Sequence, residues 1–116
     1  MSNIDWSQLV TKAAKDEARA VMLLEAAKSA FTERNTHATV QISAIQDRID
    51  TITYGLEAGE ATAEDQAEQA ALVINLKQWK AYKYELGKVP RQANWPATPQ
   101  WPANPAIPEL VLAPTV

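Results

Sequence analysis

The side chains that could do chemistry are few and scattered. Histidine occurs once, at His37, and cysteine does not occur at all. A metal site or a nucleophile–base pair needs several such groups converging on one point. No spacing around His37 supplies them. The carboxylates are spread along amphipathic stretches and read as solvated faces. Glu17 alone falls on an apolar seam, where it can pair with a lysine of a neighbouring helix. Lys77, Lys80, Lys83 and Lys88 interleave with Trp79, Tyr82 and Tyr84, residue types that can hold a nucleic acid by charge and stacking. The chain is net acidic, however, at −3. That favours a plainer reading, in which these lysines complement a helix dipole. The residues therefore point to no enzyme, no cofactor, no metal and no nucleic-acid partner. What remains is the chemistry of binding surfaces.

The densest such surface is the stretch from Gln78 to Pro105. It carries three of the four tryptophans, Trp79, Trp95 and Trp101, and every one of the seven prolines lies at Pro90 or beyond. Trp95-Pro96-Ala97-Thr98-Pro99-Gln100 is followed by Trp101-Pro102-Ala103-Asn104-Pro105-Ala106, a W-P-A-x-P-x unit given twice. Proline at this density favours polyproline II, with about three residues per turn, so Trp95 and Trp101 are expected on one side of an extended ribbon. They either fold back onto the helices or anchor in pockets of a partner. The terminal Leu110-Val111-Leu112 run could add as a strand to a neighbouring sheet.

These residues must be positioned by what precedes them. At 116 residues the chain is one small domain at most. Much of its hydrophobic content is alanine, which buries little area, so a partner is expected. No apolar run approaches the ~20 residues of a membrane span. The polar start MSNIDWSQ does not read as a signal peptide. The absence of cysteine fits a reducing compartment.

Up to about Tyr54 there is neither Gly nor Pro. Asp5 and Gln8 suit a capping box, with Ile4 and Leu9 as its hydrophobic staple. From there Val10, Ala14, Glu17, Val21, Leu24, Lys28, Phe31, Asn35, Ala38, Ile42, Ile45, Ile49, Ile52 and Leu56 step by fours and threes, a heptad seam. Asn35 takes an a position, and Ile42, Ile45, Ile49 and Ile52 alternate between a and d. Isoleucine at both favours trimers or tetramers over dimers in parallel coiled coils, so a homo-oligomer seam, with a trimer favoured, is one expectation for these five residues. An intramolecular helix hairpin is the other for residues 42–56. For residues 10–31 no partner is evident within the chain, and an intermolecular contact is favoured there. A single helix of this length would exceed a compact globule, and residues 32–39 have weak helix propensity, making them the expected break.

Gly55 and Gly59 end this segment, with an acidic loop between the helices. Thr62 and Asp65 form the next capping box, and a second helix runs to about Leu86, with Gly87 as its C′ residue and Pro90 just beyond. Acidic residues crowd its start and lysines its end, as the macrodipole favours. Leu72, Leu76, Trp79 and Leu86 form its apolar stripe, flanked by Tyr82. The short loop makes it antiparallel to the end of the first helix. The expected fold class is all-α: a long heptad-patterned helix, a short antiparallel second helix and an extended Trp-Pro tail packed along them. Residues 1–89 form the helical hairpin or coiled-coil region, and 90–116 the proline-rich tail.

Several of these stretches together resemble the phage tail fibre assembly proteins, or tail fibre chaperones. They are Ala44-Ile45-Gln46-Asp47-Arg48-Ile49-Asp50, then Ala61-Thr62-Ala63-Glu64-Asp65-Gln66 after an acidic glycine loop. Next comes Leu76-Lys77-Gln78-Trp79-Lys80-Ala81-Tyr82-Lys83 with Leu86, then Pro90, and finally the paired Trp95-Pro96 and Trp101-Pro102. The resemblance covers somewhat more than half the chain, and the order of its parts agrees. It implies a non-enzymatic protein that binds a tail fibre protein and aids its folding and oligomerisation. Such a protein works in the host cytoplasm during assembly or stays on the virion tail. The alternative it leaves open is a permanent virion subunit, an oligomeric connector or tip held by a coiled coil. Fuller members carry a further N-terminal domain, so a short member without it is expected. The expected partner-binding residues are Val10, Val21, Leu24, Phe31, Trp79, Tyr82, Trp95 and Trp101.

Overall fold

In the computed structural model, residues 6–110 are described, with side chains from residue 11 onward. The expected cap at Asp5 and Gln8, its staple at Ile4 and Leu9, the Val10 side chain and the strand-forming tail beyond Leu110 lie outside that range. The chain is all-helical. Helix α1 spans Trp6–Glu57, helix α2 spans Ala63–Leu86, and a single 3₁₀ turn covers Val89–Arg91.

Helix α1 is one unbroken helix of 52 residues. The expected break at residues 32–39 does not occur. Propensity there is weak, but packing outweighs it. Ala38 is fully buried. The His37 ring stands edge-on to Trp79 at 5.4 Å, and the Arg34 guanidinium lies over Trp101 at 4.7 Å. The Thr39 hydroxyl donates back to the Asn35 carbonyl at 2.9 Å and accepts from Lys83 Nζ at 2.6 Å. The weak helix formers of that stretch are thus held by contacts with the rest of the chain.

The end of α1 is set at Gly59, not Gly55. Gly55 lies within the helix, where the Ala61 side chain packs close to it. Gly59 has φ +73°, the left-handed conformation glycine adopts at least cost. Around it the Gly59 N–H donates to the Leu56 carbonyl at 3.1 Å and the Glu60 N–H to the Gly55 carbonyl at 2.9 Å. That pair of bonds is a Schellman motif. Three residues later Thr62 opens α2. Its hydroxyl accepts from the Asp65 N–H at 3.0 Å, and the Asp65 carboxylate accepts from the Thr62 N–H at 3.0 Å, the reciprocal capping box read from the sequence.

The two helices pack antiparallel. Ala38, Ile45, Ile49 and Ile52 of α1 meet Leu72, Leu76, Trp79, Tyr82 and Leu86 of α2, with Phe31, Ile42, Trp101 and Leu110 against the same core. Polar pins cross the seam. Arg48 donates to both carboxylate oxygens of Glu68, at 2.6 and 3.0 Å. The Gln69 amide donates to the Ile49 carbonyl at 3.2 Å and the Thr53 hydroxyl at 2.8 Å.

Gly87 differs from the left-handed C′ residue expected of it. It holds right-handed φ −61° as the C-cap, and the chain winds on into the 3₁₀ turn. Pro90 is accommodated there because the opening of a helical turn needs no donor from it. The proline-rich stretch is also not a straight ribbon. Residues 93–97 form turns, the Trp95–Pro96 peptide bond is cis, and from residue 99 to 110 the chain forms neither helix nor turn. The Gln92 side chain closes the loop. It donates to the Gln100 carbonyl and accepts from the Gln100 N–H, both at 2.8 Å.

The overall shape is a rod, 91 × 33 × 16 Å, with a radius of gyration of 23.4 Å. A compact domain of this length would have about 13 Å. The excess comes from α1, which runs on well past the end of α2.

Candidate interaction surface

The seam read along α1 has two fates. Its C-terminal half is consumed inside the chain. Ile45, Ile49 and Ile52 are buried against α2, Ile42 is partly buried on the same core, and Asn35 is half-buried beside it. The expectation that these five residues pair between copies gives way to the hairpin, because α2 supplies the facing apolar stripe. With it goes the isoleucine argument for a trimer.

The N-terminal half has no such cover. Residues 12–22, 25 and 26 are exposed, and Leu23 and Leu24 are half-buried. Val21 is 58% and Met22 71% exposed. Among the described residues, the first buried side chain of α1 is Ala27. The overhang of residues 12–26 is thus roughly 20 Å of bare helix at about 1.5 Å per residue. Its apolar face continues the same heptad line that is buried further along. Met22 lies off that line and escapes a heptad reading, although the run Val21-Met22-Leu23-Leu24 carries the signal. Four consecutive apolar residues span more than one helical turn, so no single neighbour can cover them all.

The other expected contact residues divide differently. Trp79 is fully buried and Tyr82 nearly so. They stack edge to face at 5.5 Å, and Trp79 Nε1 donates to the Ala106 carbonyl at 3.1 Å. Both belong to the core, not to a surface a partner can reach. The same burial removes them from any stacking platform with the lysines. Lys83 is engaged by Thr39, and Lys88 pairs with Glu85 at 3.2 Å while sitting over the Tyr84 ring. Trp95 and Trp101 meet edge to face at 6.3 Å, and Trp101 packs on the hairpin core beneath Arg34. The tail is fastened a second time by Asn75, whose amide donates to the Ala106 carbonyl at 2.9 Å. Phe31 is half-buried at the junction, and Val21 and Leu24 stand on the overhang.

The electrostatics are those of a scaffold. The Glu68 carboxyl is held below the usual glutamate range by its hydrogen bonds to Arg48, against the opposing pull of partial burial. Arg48 is raised by the same contact. Among the described residues no three His, Cys, Asp or Glu side chains group as metal ligands, and no helix is long and apolar enough to cross a membrane. The hollow lined by Ala30, Glu33, Arg34, His37 and Asn104 is a shallow surface depression. The arrangement offers an exposed apolar helix face beside a packed hairpin. Compared with protein-family models, curated proteins and solved structures, the chain matches none.

Proposed function

We propose that this chain is a phage tail fibre assembly chaperone that presents the bare seam of α1 to a fibre protein. One observation carries the binding role: the apolar face at Val21 stands exposed and Leu24 is only half-buried, while its continuation through Ile45, Ile49 and Ile52 is buried. An apolar helix face standing in water favours a facing chain that covers it. The tail fibre client comes from the resemblance of residues 42–105, whose W-K-x-Y core and paired Trp-Pro units lie in the hairpin and the tail packed on it. The role is one of binding rather than catalysis, exercised in the host cytoplasm during assembly.

Co-expression with the genes neighbouring its own, followed by pull-down, tests this. The expected result is a fibre protein that co-purifies and becomes soluble and trimeric only when this chain is present. Substituting Val21→Asp and Leu24→Asp together should abolish capture while leaving the hairpin folded. A fibre that trimerises equally well without the chain overturns the proposal.

The rod shape favours a second reading, a permanent connector or tip subunit of the virion, since a molecule 91 Å long built on one continuous helix suits a strut. Gel analysis of purified particles separates the two. Stoichiometric presence supports the strut, and absence supports a transient chaperone.

A further inference from the structure

We propose that the face of the hairpin covered by residues 101–110 is a docking seat for a proline-spaced segment of a partner protein, and that this strap is its resident occupant. The strap displays the chemistry the seat recognises. Trp101 lies under the Arg34 guanidinium at 4.7 Å. Five residues on, the Ala106 carbonyl accepts from Trp79 Nε1 at 3.1 Å and from the Asn75 amide at 2.9 Å. Four residues further, Leu110 packs on the same core. Pro102, Pro105 and Pro108 space these anchors. Proline-rich segments are commonly read by aromatic-lined grooves, since proline limits the entropy lost on docking.

The strap is held by side chains alone. Among the described residues, no backbone–backbone hydrogen bond joins residues 99–110 to either helix. Ala103, Asn104, Ala106 and Ile107 stay exposed. An aromatic ring, a doubly clasped carbonyl and an aliphatic side chain make the contact, and a segment of another chain can supply all three while the hairpin stays packed. Trp79 and Tyr82 are out of reach only while the strap is in place.

The seat also offers more than its occupant uses. Asn75 Oδ1 and Tyr82 Oη are buried with no hydrogen-bond partner among the described residues. Asn75, Trp79 and Tyr82 are spaced i, i+4 and i+7 on α2, so the two orphan groups flank the indole that holds the strap. Pro105 and Pro108, on either side of the clasped carbonyl, bring no N–H to this stripe. A segment that keeps the aromatic and aliphatic anchors but carries an N–H at one of those places satisfies a group the strap leaves bare. The strap thus closes the seat to weaker segments and yields to that one. This seat is separate from the overhang and does not rest on the fibre reading.

A fluorescent peptide with the sequence of residues 99–110 is the probe, read by anisotropy against the full chain. The native chain should bind it weakly, because its own strap competes. Trp101→Ala and Leu110→Ala each loosen that strap and should raise the affinity by about tenfold or more. Adding Asn75→Ala or Trp79→Phe to Trp101→Ala should lower it again by about three- to tenfold, as the peptide carbonyl loses a donor. A retained helical signal shows that the hairpin persists in each variant. Of the Pro105→Ala and Pro108→Ala peptides, at least one should bind the Trp101→Ala chain more tightly than the strap sequence does. Equal affinity of the native and both strap-loosened chains overturns the proposal, as does a gain that survives loss of either donor, or weaker binding of both alanine peptides. A native chain that forms a concentration-dependent dimer dissolved by excess peptide also overturns it, and gives the seat to the strap of a second copy.

Discussion

Two buried rings on α2 behave oppositely as residues. Trp79 is enclosed by His37, Tyr82 and the Ala106 carbonyl, and it lies at full burial in the middle of the hairpin. Truncating it removes a large apolar volume and also releases the strap that its indole N–H holds. Trp79→Ala should lower stability by about 3–5 kcal/mol in denaturant melts. Tyr82 is almost as deeply buried, yet its hydroxyl has no hydrogen-bond partner among the described residues. A buried polar group without a partner carries a desolvation cost of about 1–3 kcal/mol. Tyr82→Phe keeps the ring contact with Trp79 and removes that cost, so its unfolding midpoint should match or exceed that of the native chain. A clear loss of stability would show that the hydroxyl is engaged after all.

At the scale of elements, the hairpin is held by local signals and by one charged clasp. Thr62→Ala removes the reciprocal cap of α2 and should cost about 1 kcal/mol, read as a lower unfolding midpoint. Glu68 ionises more readily in the folded chain than in the unfolded one, because Arg48 donates to it. A carboxyl with a lowered folded pKa contributes its full stability above its unfolded value and loses it as pH falls through the folded value. The hairpin should therefore weaken on acidification below the ordinary glutamate range. Glu68→Gln should start less stable at neutral pH and lose less in acid, read as a shallower dependence of the unfolding midpoint on pH. The caps and the stripes of both helices are legible in the sequence because they are local and periodic. The continuity of α1 through residues 32–39 is not, since it rests on Trp79, Lys83 and Trp101 arriving from far along the chain. The tail escapes a sequence reading for a similar reason. Proline density implies an extended ribbon, but the Gln92 clamp on Gln100 folds the first repeat into turns, and the two tryptophans meet each other instead of lining a straight face.

For the whole molecule, the decisive feature is that one continuous helix lives in two environments. Residues 38–52 of α1 are locked by an apolar partner, whereas residues 12–26 stand clear of the core. The seam pattern is the same in both halves; the short loop to α2 points to a hairpin for residues 42–56 and leaves residues 10–31 without a partner in the chain, but the pattern does not mark where that cover stops. That depends on where α2 ends, and the glycine at Gly87 with the turn at Val89–Arg91 sets that point. An isolated helix of about fifteen residues is marginal in water even when alanine-rich. Hydrogen exchange should therefore divide α1. Amides of residues 42–56 should exchange slowly, with the free energy of global unfolding, and those of residues 12–22 should exchange orders of magnitude faster in dilute solution. Uniform protection along α1 in dilute solution would mean that the overhang is stabilised within the single chain, and the two-environment description would fall.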